Sequence, residues 1–306
     1  MVFEQIDTSC PKVSIGVISY NDEAFIEECL DSIRLQNYPN LEVFVSEDAS
    51  SDNSFKKIQE YDQKHPGFIT GLYSQPENLG ISRHCNFLID KMSGDYIEIF
   101  SGDDIMLPGK LKKQVEVMEQ NSKAALCFTN MEWFRSESGR KICNHFGFLQ
   151  KPSTRLADAI ADFHIPTPTL LVRRSLLDDI RYSTDLTYIN DFYYVVELMQ
   201  QGSALYLPDI TVRYRKHKNS ATLKNYFYKD RLKIVEMFRK NLPLSYAAAI
   251  EKYEYTVYYA KIMELIQEKK RMGALKLFPH LIPAAFSSPK WCIRSGAIFA
   301  NLMRFR

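Results

Sequence analysis

Four short apolar runs in the first hundred residues are separated by stretches with helical spacing. The runs are VSIGVIS (Val13 to Ser19), LEVFVS (Leu41 to Ser46), FITGLYS and DYIEIFS (Asp95 to Ser101). Between them lie DEAFIEECLDSIRLQ, residues 53–64, and Gly80 to Lys91. In the first of these, Phe25, Ile26, Cys29, Leu30 and Ile33 fall on one helical stripe, with Asn21 ahead of it where a cap is expected. Strands joined by helical crossovers lie parallel, so the pattern predicts a βαβ series around a largely parallel sheet covered on both faces. A composition of 45% apolar and 25% charged residues with 12 Gly and 13 Pro excludes collagen-like, disordered and miniature disulfide-built classes.

Further along, ALCFTNMEWF and TPTLLVRR read as strands and INDFYYVVELMQQ as a helix opening at Asn190 and Asp191. ALYLPDITVRYR reads as a strand running into the basic loop KHKNSAT. Strand signals stop after about Thr222: residues 224–240 and 245–271 read as two long helices. Pro279, Pro283 and Pro289 then break the remainder into short segments rich in Leu, Phe and Ile, with Trp291, interspersed with Lys276, Lys290, Arg294, Arg304 and Arg306. The expected fold is therefore α/β, a Rossmann-like mostly parallel sheet flanked by helices over residues 1–222, followed by a C-terminal helical extension over 223–306.

The net charge of +2 conceals a division along the chain. From Arg213 onward there are 20 Lys and Arg against 6 Asp and Glu, a surplus of +14, so residues 1–212 carry −12. An acidic body suits a divalent cation, whereas basic charge mixed with dense apolar residues suits an anionic membrane surface better than nucleic acid. A helical appendage with basic solvent faces is the alternative for that tail. The six cysteines are scattered with no C-x-x-C pair, so neither a zinc cage nor a disulfide framework is expected. No apolar run reaches membrane-spanning length and the N-terminus lacks a secretory layout, which leads to the expectation of a cytoplasmic protein, peripheral at most on the inner membrane face.

In open α/β sheets ligands gather outside the carboxyl ends of the strands. The acids here fall at those ends: Glu47 and Asp48 after the second strand, Asp103 and Asp104 after the fourth. Adjacent carboxylates repel unless a cation or hydrogen bonds offset them, so the Asp103–Asp104 pair is either a cation site or a solvated turn with Asp104 capping the helix near Pro108. Asp48 is placed to accept hydrogen bonds from a nucleobase or ribose, or forms an ordinary acidic turn. Arg83, in a first helical turn after N-L-G, can set a guanidinium beside a diphosphate or stand on the surface. Asp191 is a candidate general base or a structural cap. Arg215, His217 and Ser220 read as a phosphate-gripping loop or as basic surface.

The ordered series VSIGVISYN, VFVSEDASSDNS, NLGISRHCN, GDYIEIFSGDDIMLPGKL, a late N-D at a helix start and VRYRKHKNSAT resembles the inverting glycosyltransferase family 2, whose nucleotide-binding sheet is of the type called GT-A. The likeness covers about residues 12–222. It implies that Tyr20, Glu47 and Asp48 flank the nucleotide base, that Arg83 and Arg215 neighbour the nucleotide, and that Asp103 binds Mn²⁺ or Mg²⁺ as the last acid of the family's D-x-D. Asp104 and His217 are the further metal ligands expected, and Asp191 is the implied catalytic base. One departure bears on the metal: Ser101 stands where the first D-x-D acid is usual, removing an anionic oxygen.

The reaction so implied is a single displacement from a nucleotide-sugar donor, UDP-linked by preference, to a saccharide or lipid-linked saccharide acceptor in surface-polysaccharide or glycolipid assembly. Trp133, His145, Phe146, His164 and Thr167 are candidates for the acceptor side, with core packing as the plainer role for the aromatics. A nicotinamide dehydrogenase lacks its G-x-G-x-x-G turn here and a P-loop enzyme its G-x-x-x-x-G-K-[ST]. The remaining alternatives are a sugar nucleotidyltransferase and a catalytically lapsed glycan- or membrane-binding module.

Overall fold

The computed structural model describes residues 10–147, 152–177, 179–217 and 227–282, together with Ser295 and Ile298. Val13, Ile15 and Val17 are fully buried, as are Val45 and Phe100, so the apolar runs form strands covered on both faces. These are β1 (Val13–Ser19), β2 (Leu41–Glu47), β3 (Gly71–Ser74) and β4 (Tyr96–Ser101). The helices α1 (Ile26–Arg34), α2 (Ser54–Lys64) and α3 (Ile81–Ile89) connect them. β1 pairs in parallel with β2 and β4, and β2 with β3. The register sets Ser19 opposite Glu47, Glu47 opposite Ser74 and Ile18 opposite Ser101. Four strands therefore end along one rim.

Spatial order among the described residues is β3-β2-β1-β4-β8-β6-β9-β5, with β7 added on β6. The later elements are β5 (Ile105–Met106), α4 (Lys110–Glu119), β6 (Ala124–Arg135), β7 (Lys141–Asn144), α5 (Leu156–Ala161), β8 (Leu171–Arg173), α6 (Asn190–Gln201) and β9 (Ser203–Lys216). β8 runs antiparallel between β4 and β6, and β9 runs parallel to β6, so β6 and β9 end on the same rim as β1 and β4. The chain winds outward from β1 to β3 and then returns past β1 to β4. The order thus reverses between β1 and β4, the place where open α/β sheets hold ligands.

The chain divides into two units. One comprises Met1–Leu156 with His164–Leu223; the other comprises Ala157–Phe163 with Lys224–Arg306. In the second, α7 (Phe227–Asn241) and α8 (Ala247–Gln267) pair, tied by Arg239 and Glu254, and α9 (Arg271–Leu277) follows. Tyr255, Ile262, Ala274, Leu281 and Ile298 form its buried cluster. The segment 245–271, expected as one helix, breaks because Lys269 adopts a left-handed backbone at φ +60°.

Two other expectations change. TPTLLVRR yields only the three residues of β8, because Pro166 and Pro168 lack an N–H to donate to a ladder and Thr167–Thr169 instead form a 3-10 turn. β5, β7 and α5 are too short to carry a periodic signal. Asn21 does not cap α1: it sits at φ +57°, while the Asp22 carbonyl accepts the N–H groups of Phe25 and Ile26. Ser220 and most of the proline-broken tail, including Lys290, Trp291, Arg294, Arg304 and Arg306, lie outside the described residues.

Candidate active site

The loops after β1 and β2 are strapped together. The Asn21 N–H donates to Ser50 Oγ at 2.8 Å, Ser51 N–H to Asn21 Oδ1 at 3.0 Å, and Asp22 N–H to Ser54 Oγ at 2.8 Å. Asn21 at φ +57° and Ala49 at φ +56° are both left-handed, a conformation that non-glycine residues hold only when their surroundings impose it. Glu47 is buried and accepts the Ser50 N–H. Tyr20 leaves half its surface, 51%, in solvent at the mouth of this pair of loops.

Asp48 sits behind them, buried, accepting the Leu79 N–H at 2.7 Å and the Gly80 N–H at 3.2 Å at the start of α3. A carboxylate at a helix N-terminus is held there by unpaired amides and the helix dipole. His84 Nδ1 lies 3.9 Å from it, and burial keeps this imidazole below its ordinary pKa. Asp48 therefore fixes α3 against the β2 end, and Arg83, exposed in the first turn of α3, is aimed away from the core.

At the β1–β4 reversal, Asp103 and His217 meet. The Ser101 hydroxyl donates to Asp103 Oδ1 at 2.6 Å, and Asp103 Oδ2 stands 3.0 Å from His217 Nε2. Ser101, expected only to remove a charge, thus orients the remaining acid. Asp104 is fully buried; its Oδ1 accepts the Arg215 N–H at 2.8 Å and its Oδ2 has no hydrogen-bond partner. Burial, and next the charge of Asp103, push its carboxyl well above the ordinary range. Asp22 behaves alike: burial and then Asp103 push it up to about 7. Three acids thus crowd around Gly102, where an added Cβ would come within 2.8 Å of Asp22 Oδ2.

Arg215 does not face this cluster as a free cation. Its guanidinium donates to the Asp103 carbonyl at 2.7 Å and to Glu28, and lies over the rings of Phe25 and Phe134. Its work is to hold the end of β9 against α1. Lys216, next along, lies 4.1 Å from the centre of the Trp133 ring, and burial lowers its pKa against the opposing pull of Asp104 and Asp103. Trp133 stacks at 13° on His145, whose Nε2 meets the His164 carbonyl at 2.9 Å, and Phe146 is buried, so these aromatics form one packed group.

Asp191 is the second residue of α6 and is partly buried. It accepts the Thr167 hydroxyl at 3.0 Å and the Phe192 N–H at 2.8 Å, and burial raises its carboxyl above the ordinary range. Its neighbour Asn190 donates to Ser82 Oγ at 2.6 Å, and the Ser82 hydroxyl donates to the Ser183 carbonyl at 2.8 Å. Asp191 is thereby joined through Ser82 to the turn of α3 that carries Arg83 and that Asp48 caps. Thr167 lies just ahead of β8, at the end of that strand beside the β4 terminus, so Asp48, Asp103 and Asp191 belong to one rim of one unit. An open groove of about 690 Å³ adjoins α3 and α6, lined by Asn86, Ser183, Thr184, Asp185, Tyr193 and Glu197 among others, but by none of Tyr20, Asp48, Arg83, Asp103, Asp191 or His217.

A divalent ion needs several oxygen or nitrogen donors, and among the described residues no three His, Cys, Asp or Glu side chains form a ready-made cage. A separation of 3.0 Å between Asp103 and His217 does suit neighbouring ligands of one ion, and the crowded acids leave negative charge to offset. The donor set fits an ion that takes its other ligands from phosphate and water. Asp104 fits less well, being fully buried with its charged form disfavoured.

Sequence reasoning missed Asp22, the donor role of Ser101 and the Thr167 bond to Asp191. The D-E following Asn21 was legible as helix-opening acid, but nothing in the string relates it to Asp103 across the sheet.

Comparison with known proteins bears on this rim. An uncharacterized glycosyltransferase of Haemophilus influenzae is 27% identical over 228 residues, 70% of this chain and 68% of its own length. The chain spans 64% to 68% of the length of the first curated relatives it matches. Among solved structures, TarS of S. aureus, residues 1–349, in complex with UDP-GlcNAc superposes with a TM-score of 0.61 at 18% identity, covering 81% of each chain. The mannosyltransferase PcManGT of Pyrobaculum calidifontis in complex with GDP-Man and Mn²⁺ gives a TM-score of 0.61 at 18% identity, covering 96% of this chain and 86% of that one. At that identity the likeness is one of fold, a GT-A-like sheet with helices after it. Residues 14–181, which carry β1 through β8 and the acids at their ends, match the Glycosyl transferase family 2 pattern, and the chain belongs to that family.

Proposed function

We propose that the chain transfers a sugar, with inversion, from a nucleoside-diphosphate sugar to a hydroxyl of a saccharide or lipid-linked saccharide. The observation that supports this reading is the contact of Asp103 with His217 at the β1–β4 reversal, with α3 linking Asp48 after β2 to the start of α6, where Asp191 stands. Tyr20 offers a half-exposed ring for the nucleobase. Glu47 and Asp48 brace the loops beneath it through the Ser50, Leu79 and Gly80 N–H groups, and Arg83 offers an exposed guanidinium for the diphosphate. Asp103 and His217 would hold Mn²⁺ or Mg²⁺, which supplies positive charge for the leaving diphosphate.

Asp191 accepts the proton of the acceptor hydroxyl as it attacks from the face opposite the nucleotide. A carboxylate whose pKa is lifted by burial is a better base near neutral pH than an exposed one. UDP-sugars are the favoured donors; the UDP-GlcNAc bound by TarS and the GDP-Man bound by PcManGT support a nucleotide-sugar donor without choosing between them.

Calorimetric titration of UDP in the presence and absence of Mn²⁺ tests the donor half. Binding is expected to strengthen with Mn²⁺, and Asp103→Asn to lose roughly 10- to 100-fold of that gain. Equal binding with and without the metal in the wild-type chain would favour a lapsed, glycan- or membrane-binding module instead.

The helical unit is proposed to lie on an anionic membrane. Among the described residues no helix is long and apolar enough to cross one. Yet Met272 and Ile282 are exposed beside the exposed Lys269, Lys270, Arg271 and Lys276, the mixture expected of a surface-lying segment. Reversing Lys269, Lys270 and Arg271 to Glu in the full chain is expected to lower sedimentation with phosphatidylserine vesicles by at least about a hundredfold in affinity, at roughly 1 kcal/mol per basic residue. Unchanged sedimentation refutes membrane docking by this segment.

A further inference from the structure

We propose that Thr167 is the positioning residue of the catalytic base: its hydroxyl, held on a rigid proline-bracketed mount, fixes the Asp191 carboxylate and sets the pH at which it works. This rests on the reading of Asp191 as the base.

The mount is built unlike an ordinary loop. Pro166 and Pro168 fix the backbone on either side of Thr167 within the 3-10 turn. Thr169, fully buried, anchors the turn: its hydroxyl donates to the Pro166 carbonyl at 2.8 Å and accepts the Thr129 N–H of β6 at 3.0 Å. Gln114 of α4 donates to the Thr169 carbonyl at 2.9 Å. Thr167 is thus carried by β6 and α4, and its Oγ donates to Asp191 Oδ2 at 3.0 Å. The other Asp191 oxygen takes the Phe192 N–H at 2.8 Å. With one donor on each oxygen, the carboxylate cannot turn about its bond without breaking a hydrogen bond, and each oxygen keeps a lone pair for an incoming hydroxyl.

The donor also has a chemical consequence. A hydrogen bond to an ionised carboxylate favours that form, so the Thr167 hydroxyl opposes the upward push that burial exerts on Asp191. The other titratable groups facing Asp191 are Cys85 on α3 and Tyr182 ahead of α6. Burial drives both far upward, so both stay neutral through the working range, as does Tyr194 on α6 itself. Among the described residues, none of these three titrates in place of Asp191 in that range.

The test uses hydrolysis of UDP-GlcNAc or GDP-mannose with Mn²⁺, whichever the wild-type chain cleaves faster, across pH 5 to 9. Thr167→Val keeps the shape and removes the donor; Thr167→Ser keeps the donor. The acid limb of kcat in Thr167→Val is expected to move up by about one pH unit, a loss that approaches about tenfold below the wild-type limb and vanishes above the shifted one. Donor KM stays within about twofold and Thr167→Ser restores the wild-type limb. A uniform loss at all pH values, or a limb that does not move, overturns the proposal. Asp191→Asn run alongside separates the two readings. If it retains wild-type turnover, the base assignment fails and this proposal with it; if it is crippled while Thr167→Val matches wild type, only the role of Thr167 falls.

Discussion

Asp191→Asn is expected to lower sugar transfer by about 10²- to 10⁴-fold, the usual worth of a positioned general base, while leaving nucleotide binding within about twofold. The substitution is nearly isosteric. An amide oxygen still accepts the Thr167 hydroxyl or the Phe192 N–H, so α6 keeps its start and the bond from Asn190 to Ser82 is undisturbed. What is lost is the ability to take a proton. The pH profile distinguishes this from general damage. Burial holds the Asp191 carboxyl above its ordinary value, so the wild-type rate falls as pH drops through that raised pKa, because only the ionised form is a base. In Asp191→Asn the residual rate has no such acid limb. Single-turnover transfer with donor bound to saturation reads the chemical step directly. A variant that transfers at the wild-type rate, or whose residual rate keeps the same acid limb, removes Asp191 from the reaction.

The division between what could be read from the string and what could not follows the range of the interactions. Parallel strands with helical crossovers announce themselves locally, through Val13, Ile15 and Val17 or the stripe Ile26, Cys29, Leu30 and Ile33, all buried as that pattern demands. The acids at strand ends were equally visible, since a strand end followed by Asp is a local fact. Which acids face one another is not. Asp22 and Asp103 are brought together by β1 and β4 pairing across the reversal, and Thr167 meets Asp191 through a turn whose strand signal the prolines cancel. The basic loop misled for a related reason. Arg215 and His217 have the same local context, but β9 sets Arg215 against Phe25 and Glu28 and His217 against Asp103. Residues two apart in an extended segment share a face, so both meet Phe25 and Asp103, but Arg215 takes the Asp103 carbonyl and Glu28 whereas His217 meets the Asp103 carboxylate.

Lys110→Met is expected to destabilise the sheet unit by about 3 to 5 kcal/mol, the cost of leaving one member of a buried ion pair alone. Lys110 opens α4, Glu98 lies in β4, both are fully buried, and Lys110 Nζ donates to Glu98 Oε2 at 2.5 Å. Glu98 Oε1 has no other partner, so nothing replaces the ammonium once it is gone. Burial pushes the Glu98 carboxyl up and the Lys110 ammonium down, each opposed by the other's charge. In Lys110→Met that opposition vanishes and Glu98 is raised further. A carboxyl raised above its unfolded pKa binds protons more tightly when folded, so its folded state is favoured at low pH and loses stability as pH rises through the raised value. The deficit of Lys110→Met is therefore larger at pH 8 than at pH 5 in urea unfolding. Glu98→Leu combined with Lys110→Met removes both charges and is expected to return to within about 1 kcal/mol of wild type, since well-packed apolar pairs replace buried ion pairs at little cost. The pair matters to the rim because it ties β4 to α4 at the two ends of the segment that carries Asp103 and Asp104. Lys110→Met should then also weaken Mn²⁺-dependent UDP binding at temperatures where it remains folded, and the double variant should recover it. Stability that falls by less than about 1 kcal/mol, or a deficit that is the same at both pH values, would mean the pair is neutral in the native protein, with its proton already shared between the two side chains.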